Sequence, residues 1–504
     1  MNNKYTKLIG LSIVTILLSA CGGNNDEKSN PTDPSNPDNP TENIENQAFN
    51  EFTQDTFAKS TCKVLPIETP AGIFVSVDGL STGSGTKDSP IDLQTALSKS
   101  SPAKPGETIW IKGGIYKGSY LSEVSGKSGL PISIKPIPGE RVIIDSYNSG
   151  IKDAGLRVNG YWTNFYGIEA RSSDTNRGNV NERYPDVSAK SGIAVFGANT
   201  NIYNCLSYDN VGGGIDFWKT ATDSTLHGNI IYNNGFAHSG RGASHGVYTQ
   251  NTNGYKNIKK NIFFFGFQTG LHPYSTGAAP LNRFTIEDNV WFLAGAADPR
   301  DNQQKTNLIV YTKSGIIDMV IKNNKGYSQV NRGTSLASSE ITGNVSIIDN
   351  YLSERIEIGG LWDPIIFEDN TVYGNIDDPH EYLIDSPTNK LSKSRPTSGN
   401  KVFVDANEID PRRGRIVIYN YDDADSVNVD LSSILKTGEA YRVHSVMGLF
   451  EGALVSGVYD GSEVSIPMGT INPPQPNGNP NGIDSDDGPK KKFGTFIVTH
   501  GGCI

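Results

Sequence analysis

Most of the groups in this sequence that could do chemistry together fall in two columns of side chains. Six segments share one alternating pattern: Gly155–Asn159, Gly192–Phe196, Gly214–Trp218, Gly246–Gln250, Gly270–Tyr274 and, more loosely, Asn307–Tyr311. In extended chain the second and fourth residues of each point one way and the third and fifth the other. The third positions read Arg157, Ala194, Asp216, Tyr248, His272 and Ile309, and the fifth read Asn159, Phe196, Trp218, Gln250, Tyr274 and Tyr311. Parallel strands stack about 4.8 Å apart, so neighbours in a column can reach one reacting group. Tyr248 and His272 then supply an acid and a base on adjacent strands, and His245, just before its strand, is a second candidate base. Asp216 can orient them, and Arg157, Lys219 or Arg241 can hold a negative charge. Trp218, Tyr274 and Tyr311, with Gln250, make a row that suits a ligand with flat C–H faces.

Those columns require strands stacked in register, and an internal repeat supplies them. Asn229, Asn261, Asn289, Asn324, Asn350 and Asn370 recur at 20 to 35 residues within similar apolar settings, the period of a solenoid coil. An asparagine at one point of each coil can bond to those above and below it, and Ile168 and Cys205 take the same place in earlier coils. The inward residues Leu156, Ile193, Ile215, Val247, Leu271 and Leu308 form the matching core column. Asp92–Lys99 has the spacing of a short amphipathic helix suited to capping the first coil.

The opening from Pro70 to Gly79, with the Gly106–Lys117 segment, resembles the first turns of the pectate-lyase-like right-handed parallel β-helix superfamily of polysaccharide lyases and glycoside hydrolases. The resemblance implies an all-β protein with a substrate groove along one sheet, walled here by the excursions Ser172–Lys190 and Phe236–His245. It implies a polysaccharide ligand, whose sugar rings would stack on Trp218 and Tyr274. Two chemistries fit. β-Elimination from an acidic polysaccharide needs a cation, a base and an acid, which Tyr248, His272 and the arginines supply. Hydrolysis needs two carboxyl groups about 5 to 10 Å apart. Only Asp216 stands in the columns, and the second would come from Glu169, Asp174, Glu182, Asp186, Asp298 or Asp301. Ser244–Gly246 is similar to the Gly-His-Gly segment of polygalacturonases, but their paired aspartates have no counterpart. A non-catalytic glycan-binding surface protein is the reading from another class. Calcium (Ca2+) is compatible with the superfamily; Asp216 alone is no calcium site, and no metal is assigned.

The rest of the chain sets the address. Basic Met1–Lys7, the apolar run Leu8–Leu18 and Leu18-Ser-Ala-Cys21 resemble a bacterial lipoprotein signal over residues 1–20, with acylation of Cys21 and outer-membrane anchoring. Residues 21–64 are a polar tether. The β-helix is expected over 65–390 and a small β-sandwich-like domain over 395–504, with Asn472–Lys492 a flexible excursion from it. A net charge of −10 argues against nucleic acid as a partner, and a monomer is expected. Cys62 and Cys503 could pair in an oxidising compartment, and Cys205 should be buried.

Overall fold

The computed structural model describes residues 71–501, except 148–152, 184, 189, 276–280, 299, 301–304, 330–331, 340–342, 384–385, 470, 480–481, 484–488 and 490. The acylation candidate Cys21, the tether, Cys62, Cys503 and Asp301 lie outside the described residues.

Among the described residues from Ile73 to Ser392 the chain winds through three long parallel sheets of 11, 11 and 10 strands, forming a parallel β-helix. In coil order, the first sheet runs from Ile73–Val75 to Ile365–Glu368, the second from Gly114–Lys117 to Lys390–Ser392, and the third from Tyr120–Ser122 to Ile376–Asp377. One coil, for example, is Thr163–Tyr166, Ile168–Arg171, Ser191–Val195.

The turn from first to second sheet explains the repeat. One residue adopts a left-handed conformation there: Asn204, Lys260, Asp288, Asn323, Asp349 and Asp369 all have φ between 53° and 57°. Asn and Asp tolerate this region better than most side chains, and Gly167 and Gly228 fill the equivalent places at 58° and 69°. The next residue is the ladder asparagine. Each side-chain amide donates to the Oδ1 of the next, from Asn229 to Asn261 (2.8 Å), Asn289 (3.0 Å), Asn324 (3.0 Å), Asn350 (2.9 Å) and Asn370 (2.9 Å). Asn389 extends the ladder by one rung at 3.1 Å. At the other end the Cys205 amide donates to Asn229 Oδ1, and burial pushes the Cys205 thiol up to about 12.

Inside the coils, Leu156, Ile193, Ile215, Val247, Leu271 and Leu308 are all buried in one continuous core. The short helix Leu93–Leu97 is N-capped by Asp92, whose Oδ1 accepts from Thr95 N, and it buries Leu93, Ala96 and Leu97 against the first coils.

After Ser392 the chain forms an antiparallel five-stranded sheet, Lys401–Ala406, Arg413–Tyr419, Phe493–Gly501, Ala440–Ser445 and Val455–Val458, with a two-stranded sheet of Ser426–Val429 and Val464–Pro467. It packs on the second β-helix sheet. There Tyr208, Tyr232, Phe264 and Phe292 stack in a column with centroids 4.8 to 5.2 Å apart, and Phe493 closes on Phe292 and Tyr327.

The segment expected to be a flexible excursion is instead docked in its described parts. Asn233 donates to Pro474 O, Asn479 donates to Ala297 O, and Ile483 is buried. Arg177 adds a staple, donating from Nε to Asn477 O and from its other nitrogens to Asp209 O, Asn210 O and Gly235 O. Donors such as Asn233 and Arg177, and the Ala297 carbonyl, give this polar segment partners that its composition alone does not reveal.

Candidate active site

The third sheet carries the predicted columns in register. Arg157 pairs with Ala194, Ala194 with Asp216, Asp216 with Tyr248, and Tyr248 with His272. In the second column Phe196 stacks on Trp218 at 5.7 Å and Tyr274 on Tyr311 at 5.3 Å, between ring centroids. Tyr248 links the columns, its ring 5.8 Å from Trp218 and 6.3 Å from Tyr274. Gln250 donates to both the Tyr248 hydroxyl (2.9 Å) and Tyr274 O (3.2 Å).

The turns from second to third sheet vary in length, and the excursions emerge there, along one side of this face. The hairpin of Phe236–His238 and Arg241–Ala243 stands at that edge, with Gly178 of the 172–190 excursion bridged to Ala237. Asp298, considered above as a catalytic carboxylate, is fully buried and held by two side-chain bonds and one backbone bond from Arg300, which also donates to His238 O. Its chemistry is thus spent on fixing the hairpin. Glu169 is likewise removed from the site: it lies on the second sheet, bonded twice by Arg141 and once by Tyr208.

The hairpin end brings His245 to His272. His272 Nδ1 lies 2.9 Å from His245 Nε2, and the Nδ1 of His245 is buried with no hydrogen-bond partner among the described residues. Burial, reinforced by the charge of Arg241, lowers His272 to about 3. Burial, the neighbouring His272 and Arg241 lower His245 well below its ordinary value. Both rings are therefore neutral near pH 7, the form that can accept a proton, but with a low affinity for one. Arg241 is the cation whose field reaches the pair.

The other proposed cations stand apart. Arg157 is two strands from Asp216 beyond the small Ala194; it is ion-paired with Asp153, donates to Asn159 and covers the Phe196 ring at 4.3 Å. Lys219 is exposed beyond the strand end. Asp216 makes its short bond to Ser191, whose hydroxyl donates at 2.6 Å, so its contact is with the neighbouring coil. Burial raises Asp216 to about 6, with Asp153 adding to the rise and the Ser191 bond opposing it. Burial also raises Tyr248, which keeps its proton.

Ser191, Asp153 and Lys256 carry no pattern that marks them in the sequence. Lys256 is fully buried beneath the columns, its Nζ donating to Phe217 O (3.0 Å), Trp218 O (2.7 Å) and Gln250 O (2.6 Å) and lying 4.0 Å from the Phe217 ring centroid. It ties down the strand ends that present Trp218 and Gln250. Among the described residues no cluster of three or more His, Cys, Asp or Glu could hold a metal ion.

The fold and this face together define a parallel β-helix with an ionisable and aromatic face on its third sheet. No family model matches the chain. It is 30% identical over 159 residues, 31% of its length, to pectate lyase L of Thermoclostridium stercorarium, and spans 11% of that protein. Among solved structures it is similar to pectate lyase Pel9A, at 16% identity and a TM-score of 0.40 over 60% of this chain and 80% of that one. It is also similar to the GH136 lacto-N-biosidase of Eubacterium ramulus, at 14% identity and a TM-score of 0.42 over 64% and 67%.

Proposed function

We propose that this protein is a polysaccharide-degrading enzyme that cuts an acidic polysaccharide by β-elimination on its third sheet. The observation that carries this reading is the cluster of Tyr248 and the His245–His272 pair within the field of Arg241, beside a row of rings. Partial identity with a protein named as a pectate lyase supports the substrate class.

In this reading Arg241 takes the uronate carboxylate. That contact offsets the same charge that depresses both histidines, so substrate docking raises their proton affinity when a base is needed. His272 removes the C5 proton, and His245 shares the positive charge through the 2.9 Å contact. The C–H electron pair forms the C4–C5 double bond as the C4–O bond breaks. The leaving oxygen takes the proton of Tyr248, whose hydroxyl accepts from Gln250 and so keeps its own O–H to give. Trp218, Tyr274 and Tyr311 hold neighbouring sugars.

A second reading, hydrolysis, rests on the interaction between Asp216 and Asp153. Two neighbouring carboxyl groups, one raised to about 6 chiefly by burial, are the ingredients of a glycosidase. We place the enzyme at the outer membrane, anchored through Cys21.

The test is a panel of uronate-rich, sulfated and neutral polysaccharides with the full-length protein and its Tyr248→Phe variant. The reading expects depolymerisation of a uronate-rich polymer and its loss in the variant. Tight binding with no depolymerisation of any polymer would instead make the groove a glycan-binding surface.

A further inference from the structure

A cavity of about 490 Å³ lies away from the groove, at the turns from second to third sheet in the last coils. Its walls come from three successive turns: Ser328 and Gln329, then Glu354 and Arg355, then Tyr373, Gly374 and Asn375, closed by Lys393, Ser394 and Arg395 after the last strand. Arg355 precedes a strand three places along the third sheet from that of His272, or about 14 Å at the usual strand spacing.

The charges around this cavity do not balance. Arg355, Lys393 and Arg395 border it. The acids are Glu354, which lines it, and Asp377, bonded by Arg355 at 3.0 Å. Glu354 is buried and its carboxyl is already occupied, accepting from Trp291 (3.1 Å), Asn307 (2.6 Å) and Thr334 (2.8 Å). With both acids ionised a positive surplus remains. Arg355 also has a buried Nε with no hydrogen-bond partner among the described residues, a donor that costs free energy until an acceptor reaches it. Arg395 is fixed in place by bonds to Ser353 and Ser328 and by the Tyr327 ring, so one cation is preorganised.

The geometry points to a second saccharide site here, taking a carboxylate-bearing sugar on Arg355, Lys393 and Arg395, with Gln329, Asn375 and Ser394 for its hydroxyls. The volume suits a small ligand, and guanidinium forks match a carboxylate in shape and charge. Naming the anion as a uronate rests on the acidic-substrate reading; the positive cavity does not. The ligand is either a free acidic oligosaccharide or a distant unit of a polymer lying in the groove.

Titration calorimetry with trigalacturonate, trimannuronate and, as neutral control, maltotriose tests it on the full-length protein and on the variants Lys393→Gln and Arg355→Gln/Lys393→Gln. Lys393 is exposed, so its variant should fold, and circular dichroism verifies both. At least one acidic trisaccharide should bind, maltotriose should not, and affinity should fall at least tenfold in the double variant. Equal affinity in the double variant, or no acidic trisaccharide bound by the wild type, overturns the proposal. A rise in polymer KM in the double variant would identify the ligand as the groove-bound chain, and an unchanged KM beside weakened trisaccharide binding would identify a free oligosaccharide. Trisaccharide binding without cleavage of any polymer would overturn the elimination reading alone.

Discussion

His272 Nδ1 and His245 Nε2 lie 2.9 Å apart, close enough for one proton to be shared between two rings that stand 27 residues apart in sequence. At that distance only one ring can carry a proton on the shared edge, and a second positive charge is opposed by Arg241. The pair behaves as a neutral unit, and several measurable consequences follow from its surroundings.

The histidines should make the fold acid-sensitive. His272 is lowered from 6.5 to about 3, so between those values the unfolded chain binds a proton that the folded chain does not. Stability is therefore unaffected above pH 6.5 and falls as pH drops from 6.5 toward 3, by up to about 1.4 kcal/mol per pH unit for this group. Thermal unfolding across this range should show a shallower decline in His272→Gln than in the wild type.

Asp216 has the opposite sign. Its carboxyl is raised from 3.8 to about 6, so its contribution is fully present below pH 3.8 and is lost as pH rises through 6. Asp216→Asn should accordingly stabilise the protein near pH 7 by about 1–2 kcal/mol. Ser191→Ala removes the bond that opposes the shift, and any limb of the pH–rate profile that belongs to Asp216 should move upward.

Trp218 is half-exposed and stacked on Phe196. If it holds a sugar ring, Trp218→Ala should raise KM for the polymer about 2- to 12-fold, the equivalent of about 0.5–1.5 kcal/mol of ring contact, with little change in kcat or Tm. Steady-state kinetics and a melting curve separate this from a packing defect, which would lower Tm and leave KM in place.

The ladder should be expensive to break in its middle. Asn289 Oδ1 accepts from both the backbone and side-chain amides of Asn261, so Asn289→Ala leaves two buried donors unpaired. A loss of about 2–4 kcal/mol is expected in urea unfolding. Asn389→Ala, at the half-buried end, should cost less.

How much of this could be read from the residues depends on periodicity. The ladder, the core column and the neighbouring Asp216, Tyr248 and His272 all follow from a two-residue alternation and a repeated asparagine, so they were legible. Asn389 was missed because its surroundings, Ser386 to Ser392, keep only Leu391 of the apolar flanks of the other rungs. His245 was recognised as a candidate, but its contact with His272 depends on where the 236–245 excursion ends. Lys256 gives no sign of burial, since a lysine at a strand start normally faces water. Its three carbonyl partners come from coil ends that only the folded chain brings together. Arg177 and Asn479 bond to turn carbonyls for the same reason. The second-sheet column of Tyr208, Tyr232, Phe264 and Phe292 recurs three residues after each ladder position, a signal that was present and overlooked.

The most direct test of the central claim is the chemistry of the new chain ends produced from a uronate-rich polymer. Elimination predicts oligosaccharides with the ultraviolet absorbance of an unsaturated uronate, each lighter by one water than the hydrolytic product of the same length, and absent with Tyr248→Phe. Saturated products that have gained water, and whose formation depends on Asp216 and Asp153 rather than on Tyr248 and His272, would contradict it.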